Sequence, residues 1–427
     1  MEHVCTIKDI ITMASLGPLG NGGRVAIIGG GPGGVGCALA LRHLAAQSGR
    51  QIEITVLEGK QFAGERHHNL CAGVVSPPLP RLIEQDLGIP CPVHLRQGII
   101  TGYVLHTARE QILLEDERYP SHVLRRIQFD NYMLEAARQR GIRIIQARAV
   151  GIEFHADEVI VYSEAAPVAA DVVVGAFGLD EGAAGVFQHA VGYRPPKALV
   201  SLLIRYYPGE QDMVRFDSKV HAYLIGPRGV EFGAITPKGD HVTINIAGMS
   251  INIEDMHAFL AAREVQALLP NLGRHEQEDP DALRIFKGHF PRSLARRYYA
   301  DRFVMVGDAA GLVRAFKGKG VTSAVQTGIR AAETILQTGI SAYAFATHYA
   351  AANRDITGDL NFGRAVRLMV LISARFGLLD PVVRAARRDP SVREALYGAV
   401  SAHESYRHVL SNIFRPHAIA AVLRALV

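Results

Sequence analysis

Six consecutive residues near the start of the chain, Gly29-Gly30-Gly31-Pro32-Gly33-Gly34, have the composition of a phosphate cradle. They follow the β-forming run "RVAII", Arg24 to Ile28, and precede "VGCALALRHLAAQ", whose apolar periodicity predicts a helix. In a strand, glycine turn, helix arrangement the GxGxxG positions fall on Gly29, Gly31 and Gly34. Missing side chains there allow the turn, the approach of a pyrophosphate and close helix–strand packing. The helix N-terminus, with its unpaired N–H groups and dipole, favours the anion. A second strand, "QIEITVLEG", ends at Glu58, whose carboxylate can bind two ribose hydroxyls and would repel a 2′-phosphate. These residues predict a dinucleotide site. They do not separate FAD from NAD, and a glycine turn with no ligand is the plain alternative.

A second segment, "DRFVMVGDAAGLVRAFKGKGVTSAVQTGIRAAETIL", repeats the design with different parts. A buried strand runs into Gly307-Asp308, and a helix opens at Gly318 and Gly320. Asp308 at a strand end can hold another sugar hydroxyl, and the helix N–H groups can face an electron-rich ring oxygen. FAD is long enough to touch both regions. Reduced flavin is anionic at its N1–O2 edge, so Lys317 and Lys319 are candidates to raise its potential, the alternative being that both point to water.

The early GGGPGG, the late GDAAG and "RRIQFDNYMLEAARQRGIRII" between them resemble the flavoprotein superfamily that includes the aromatic hydroxylases and the geranylgeranyl reductases. Within it the chain most resembles the geranylgeranyl reductase family, from Arg24 to about Ala332. "NLCAGVVSP", Asn69 to Pro77, is similar to that family's Cys-Gly-Gly-rich segment beside the flavin. "EFGAITPKGDHVTINIAG" is similar to its strand–Pro–turn–strand segment, and Gly311 stands where aromatic hydroxylases more usually have His. The resemblance implies that Arg126 contacts the cofactor, Asp130 starts the next helix and the Val150 backbone meets the adenine. It places Asp308 at the ribityl or pyrophosphate side, Gly318 and Gly320 at the isoalloxazine, and Cys71 beside that ring as a proton donor or a pocket wall. His67 and His68 flank the same loop. From the residues alone, Asp130 also reads as a helix N-cap and Arg126 as a surface base. Three departures stand out: Phe177 replaces an Asp of the family's Gly-Ala-Asp-Gly segment, "RAFKGKG" lacks a Pro, and Ala234 sits where a Trp is common.

The elements that must position these residues imply an α/β fold with a Rossmann-like FAD-binding domain, an antiparallel-sheet substrate domain and a helical C-terminal region. The expected division is 1–23 as an extension, and 24–190 with 291–337 as the FAD-binding unit, part of 75–120 lying on the substrate side. Residues 191–290 form the substrate domain and 338–427 the helical region. At 427 residues, 48% hydrophobic and 20% charged, the composition is that of a folded enzyme of two or three units. A net charge of +5 without Lys blocks argues against nucleic acid as a partner. The four cysteines, Cys5, Cys37, Cys71 and Cys91, have neither zinc nor iron–sulfur spacing, so no metal is expected. Neither a signal peptide nor a spanning segment is evident, which predicts a cytoplasmic protein. After Asn353 the basic residues are all Arg, interleaved with apolar runs such as "AVRLMVLISARFGLL", so the C-terminal helices are candidates for peripheral membrane contact.

The leading expectation is an FAD-dependent oxidoreductase that reduces carbon–carbon double bonds of an isoprenoid or other apolar substrate. Without a second GxGxxG domain, NAD(P)H would bind transiently, or a small redox protein would supply the electrons. An FAD monooxygenase or halogenase, and a flavoprotein relaying electrons to a quinone, are the alternatives.

Overall fold

The computed structural model describes residues 16–60, 71–115, 120–225, 229–272, 283–313, 320–401 and 404–426. Its first sheet has six strands in the order Tyr299–Ala300, Phe303–Met305, Val172–Gly175, Arg24–Ile28, Glu53–Leu57, Arg143–Ile145. All neighbours are parallel except the first pair. Apolar runs such as Val25 to Ile28 and Val172 to Val174 are buried on both faces, as strands of a covered parallel sheet must be. Arg24–Ile28 lies centrally, with Ile28 in register with Leu57 on one side and Gly175 on the other. Three strand ends therefore meet at one edge, where the chain continues into Gly29, Ala176 and Val306. Ligands of open α/β sheets bind at this kind of carboxyl-terminal edge.

Two helices pack together against this sheet, Pro32–Gln47 and Gly320–Gln337. Their crossing is made by glycine: a Cβ on Gly328 would lie 2.4 Å from the Gly33 carbonyl oxygen, and one on Gly36 3.3 Å from Val325 Cα. Close backbone approach here ties the first nucleotide segment to the last.

A three-stranded meander, Ala149–Phe154, Val159–Ser163 and Val168–Ala170, lies beside the first sheet. The seven-stranded sheet runs Phe286–Pro291, Ala198–Tyr206, His241–Gly248, Val230–Lys238, Lys219–Tyr223, Gly102–His106, Gln111–Glu115. It is antiparallel except between Lys219–Tyr223 and Gly102–His106. One face packs Ile204, Ile244 and Ile246 against Met256 and Phe259 of the helix Ile253–Leu260. Gly233 lies directly under Phe259. At the other end of the sheet Tyr103, Leu105 and Leu114 join Val383, Val392 and Ala418 of the C-terminal helices.

Those helices are bound to the sheet by ion pairs as well as by apolar contact. Arg367 of the helix Arg354–Arg375 forks onto Glu231, and Arg387 reaches Glu110 at 2.8 Å. The helix Leu379–Ala386 contains Pro381. A proline in the first turn removes only an N–H that has no intrahelical partner. Among the described residues no helix is long and apolar enough to cross a membrane.

Candidate flavin site

The phosphate cradle is built by backbone that tolerates no side chain in two places. Gly29 has φ +108° and a Cβ there would lie 2.5 Å from the Ala176 carbonyl oxygen; one on Gly34 would lie 1.9 Å from the Gly29 oxygen. Gly31 is different: nothing lies within 4 Å of where its Cβ would be, and as N-cap of Pro32–Gln47 it offers no side-chain cap. The first-turn N–H groups of that helix have no intrahelical acceptors, so the open space beside Gly31 suits a pyrophosphate. Pro32 at the first turn supplies helical φ at no hydrogen-bond cost, and Gly33 lets the helix approach Val306. Glu58 closes the turn, its two oxygens accepting from Gly30 N and Lys60 N at 2.7 Å each. A carboxylate with further lone pairs can still receive ribose hydroxyls.

The second anchor forms where Phe303–Met305 ends. Gly307, at φ +57°, donates its N–H to Thr327 Oγ1 at 2.9 Å. Two buried tyrosines brace this segment: Tyr349 donates to the Met305 carbonyl at 2.8 Å and Tyr193 to the Ala309 carbonyl at 2.7 Å. Asp308 is held close to the start of Gly320–Gln337, its Oδ1 being 3.9 Å from where a Gly320 Cβ would stand. Burial raises the Asp308 carboxyl, and the positive charge of Arg126 partly offsets this. Both anchors fit FAD in the chemistry of their donors: a pyrophosphate cradle, one carboxylate for each sugar end, and a helix start for the ring. Lys317, Gly318 and Lys319, and likewise His67 and His68, lie outside the described residues.

Arg126 is not a surface base. Its side chain is only 14% exposed and forks onto Asp130, Nε to Oδ1 and one terminal nitrogen to Oδ2, both 3.0 Å. Asp130 does not begin the helix, which runs Arg126–Gln139 with Arg125 at the N-cap. It sits one turn in, where i,i+4 geometry lets it grip Arg126. Burial works against the Arg126 charge, but Asp130 and the Cys71 thiol beside it more than compensate and raise the guanidinium pKa. Val150 lies in the first meander strand with its side chain exposed, two residues after Arg148, whose stem covers Gly59.

Cys71 is held from two sides. Gly73 N–H donates to Cys71 Sγ at 3.4 Å, and Lys238 Nζ donates to the Cys71 carbonyl at 3.1 Å. Gly73, at φ +72°, packs where a Cβ would be 2.0 Å from the Leu124 oxygen. Lys238 is almost fully buried, and burial is the main cause that brings its pKa down to about 8, with Arg205, Arg125 and Arg126 adding to the effect against Cys71. Sequence reading missed Lys238, treating Lys238-Gly239-Asp240 only as a turn. It also missed Tyr193 and Tyr349, whose roles depend on contacts 116 and 44 residues away.

The departures from the resembled pattern have structural reasons. Phe177 stacks on Phe187 and meets Tyr193 edge-on, so an aromatic cluster stands where an Asp is usual. Gly311 has φ +70° and a Cβ there would lie 2.1 Å from the Ser293 carbonyl oxygen. No other residue fits that position without moving the Ser293 backbone. Ala234 packs toward the apolar cluster under the C-terminal helices.

No family model matches the chain. A geranylgeranyl diphosphate reductase from Synechocystis sp. is 24% identical over 341 residues, 74% of this chain and 75% of that protein. The chain is thus similar to geranylgeranyl diphosphate reductases over about three quarters of its length. A chloroplastic member from Nicotiana tabacum is also 24% identical, over 74% of this chain and 66% of its own. Among solved structures, a geranylgeranyl bacteriochlorophyll reductase-like protein from Thermoplasma acidophilum superposes with a TM-score of 0.67 at 17% identity, covering 95% of this chain and 99% of that one. The flavin-dependent brominase Bmp2 gives 0.61 at 16% over 94% and 97%, and the halogenase PltM in complex with phloroglucinol and FAD gives 0.60 at 16% over 94% and 90%. These solved structures share the fold of this chain.

Proposed function

We propose that the protein saturates carbon–carbon double bonds of an apolar isoprenoid, drawing electrons from NAD(P)H or a small redox protein. The observation that carries this reading is the placement of Cys71 between Arg126, Asp308's neighbour, and Lys238 of the substrate sheet. Saturating one double bond adds a hydride and a proton; FAD, when bound and reduced by the donor, would supply the hydride. Cys71 is the proton donor at carbon, and Arg126 stabilises the thiolate left behind. Asp130 keeps Arg126 aimed, and Lys238 holds the Cys71 backbone still. Gly311 and the absence of Trp favour this reading over a monooxygenase or halogenase.

The test is anaerobic turnover of reduced, FAD-loaded protein with geranylgeranyl diphosphate, read by product mass. Saturated product supports the proposal, as does its loss in Cys71→Ala with flavin retained. Oxygenated or halogenated product formed only with oxygen would replace it with the monooxygenase class. Reduction of a quinone with no organic product would replace it with an electron relay.

Contact with a membrane face belongs to the same proposal. Leu368, Ile372 and Phe376 are exposed and, at four-residue spacing, share one face with Arg364 and Arg375. Residues 361–379 and 405–427 contain no Asp or Glu. An exposed apolar stripe edged only by arginine complements an anionic bilayer surface. Flotation with phosphatidylglycerol vesicles but not phosphatidylcholine vesicles, weakened by Leu368→Asp with Phe376→Asp, supports it. Self-association abolished by the same changes would assign the face to a second copy instead.

A further inference from the structure

Next to the candidate flavin site, the near end of the seven-stranded sheet holds a polar recess that shares Arg126 and Lys238 with the surroundings of Cys71 and adds residues the reaction above does not use. Arg125, Arg126, Arg205, Lys238, His241 and Thr243 line it, with an empty volume of about 290 Å³ open in part to solvent. The strands force this assembly: Arg205 is paired with Thr243 and Lys238 with His241, so cations from three segments are brought to one end of the sheet. Four cations meet two carboxylates there. Asp130 is committed to Arg126, and the exposed Asp240 is shared between His241 at 2.7 Å and Arg125 at 3.4 Å.

Donors are left over. Arg125 Nε is buried with no hydrogen-bond partner among the described residues. Arg205 has no hydrogen bond or ion pair among them, and Lys238 has the Cys71 carbonyl as its acceptor. A buried ammonium and a buried guanidinium N–H without anions are costly arrangements, and they lower the Lys238 pKa by desolvation and mutual repulsion. A ligand with several acidic oxygens reverses both costs at once. A single carboxylate is matched by one arginine fork, whereas this recess offers two guanidinium groups and an ammonium around one volume.

We propose that this recess is a phosphate-binding site that anchors a phosphorylated reaction partner against the flavin. The shared chemistry is the phosphate dianion, carried either by a diphosphate-headed isoprenoid or by a nicotinamide dinucleotide donor. The choice between these rests on the reductase reading; the phosphate site does not.

The experiment is calorimetric titration of the FAD-loaded protein with inorganic pyrophosphate, for the wild type and for Arg125→Gln with Arg205→Gln. Binding that weakens by about tenfold or more in the double variant, with flavin content unchanged, is the expected result. Because Lys238 regains its proton when the anion enters, the wild type should also take up protons on binding between pH 8 and 9, and Lys238→Met should abolish that uptake. Steady-state assays then separate the sources. A raised KM for geranylgeranyl diphosphate but not geranylgeraniol assigns the site to the substrate; a raised KM for NADPH assigns it to the donor. No pyrophosphate binding, or binding that the double variant leaves unchanged, overturns the proposal even if the protein proves to be a reductase.

Discussion

At the scale of single residues, the site rests on positions where one atom more or less changes the outcome. Gly34→Ala puts a methyl group against the Gly29 oxygen, and we expect purified protein to lose most of its FAD and about 1–3 kcal/mol of stability, read by flavin absorbance and denaturant unfolding. Cys71→Ser should retain flavin and lose about 10²-fold or more in kcat, since a hydroxyl is a far poorer acid than a thiol. Lys238 gives a pH signature. Its pKa is about 8 in the folded protein against 10.5 for an ordinary lysine, so the unfolded chain binds more protons between those values and folding gains stability as pH rises from 8 to 10.5. Lys238→Met should therefore raise the melting temperature of the flavin-free protein below pH 8, and the difference should shrink toward pH 10.5. The strand, glycine turn, helix and second strand were legible beforehand because Gly29, Gly31, Gly34 and Glu58 lie within one local unit. Lys238 was not, because a turn lysine becomes buried only when Cys71, 167 residues away, folds over it. Asp130 was read as a cap because Asp near a helix start usually is one; its grip on Arg126 follows from the helix beginning four residues earlier than expected.

At the scale of elements, the crossing of Pro32–Gln47 with Gly320–Gln337 decides whether two distant anchors serve one cofactor. Gly328→Ala should push the helices apart against the Gly33 oxygen, and weakened FAD binding measured by flavin fluorescence would report it, although residue 328 is not itself one of the anchors. The strands Gly102–His106 and Lys219–Tyr223 carry a different liability. His106 Nε2 and His221 Nδ1 lie 2.9 Å apart in the interior, and burial lowers their pKa values to about 4 and about 3. Both histidines are neutral in the fold and charged in the unfolded chain below pH 6.5, so stability falls as pH drops from 6.5 toward 4. Replacing the pair by His106→Phe with His221→Leu should flatten that dependence in thermal unfolding. The alternating strand patterns made this sheet readable, but pairing of 102–106 alongside 219–223 joins segments 117 positions apart, and parallel pairing leaves no hairpin signal in the sequence.

At the scale of the whole molecule, the C-terminal helices are fastened to the seven-stranded sheet by a few charged contacts over a modest apolar patch. Glu231 is 6% exposed and its partner Arg367 19%. Glu231→Gln removes the carboxylate that Arg367 forks onto in this partly buried contact, so it should cost about 1–3 kcal/mol. Faster proteolysis or hydrogen exchange confined to 354–426, with the flavin spectrum unchanged, is the expected result. The arginine content of these helices was visible in the sequence, but its division between Glu231-type internal pairs and outward Arg364 and Arg375 depends on which helix face meets the sheet. The joining of Gly29–Gly34 to Asp308 and Gly320 also bears on how the protein is made. More than 270 positions separate Gln47 from Gly320, so during synthesis the helix Pro32–Gln47 precedes its partner by most of the fold and cofactor capture is a late step. Until then the nascent chain carries an apolar helix without its partner, and chains that stop early are substrates for chaperones and proteases rather than partly loaded enzymes.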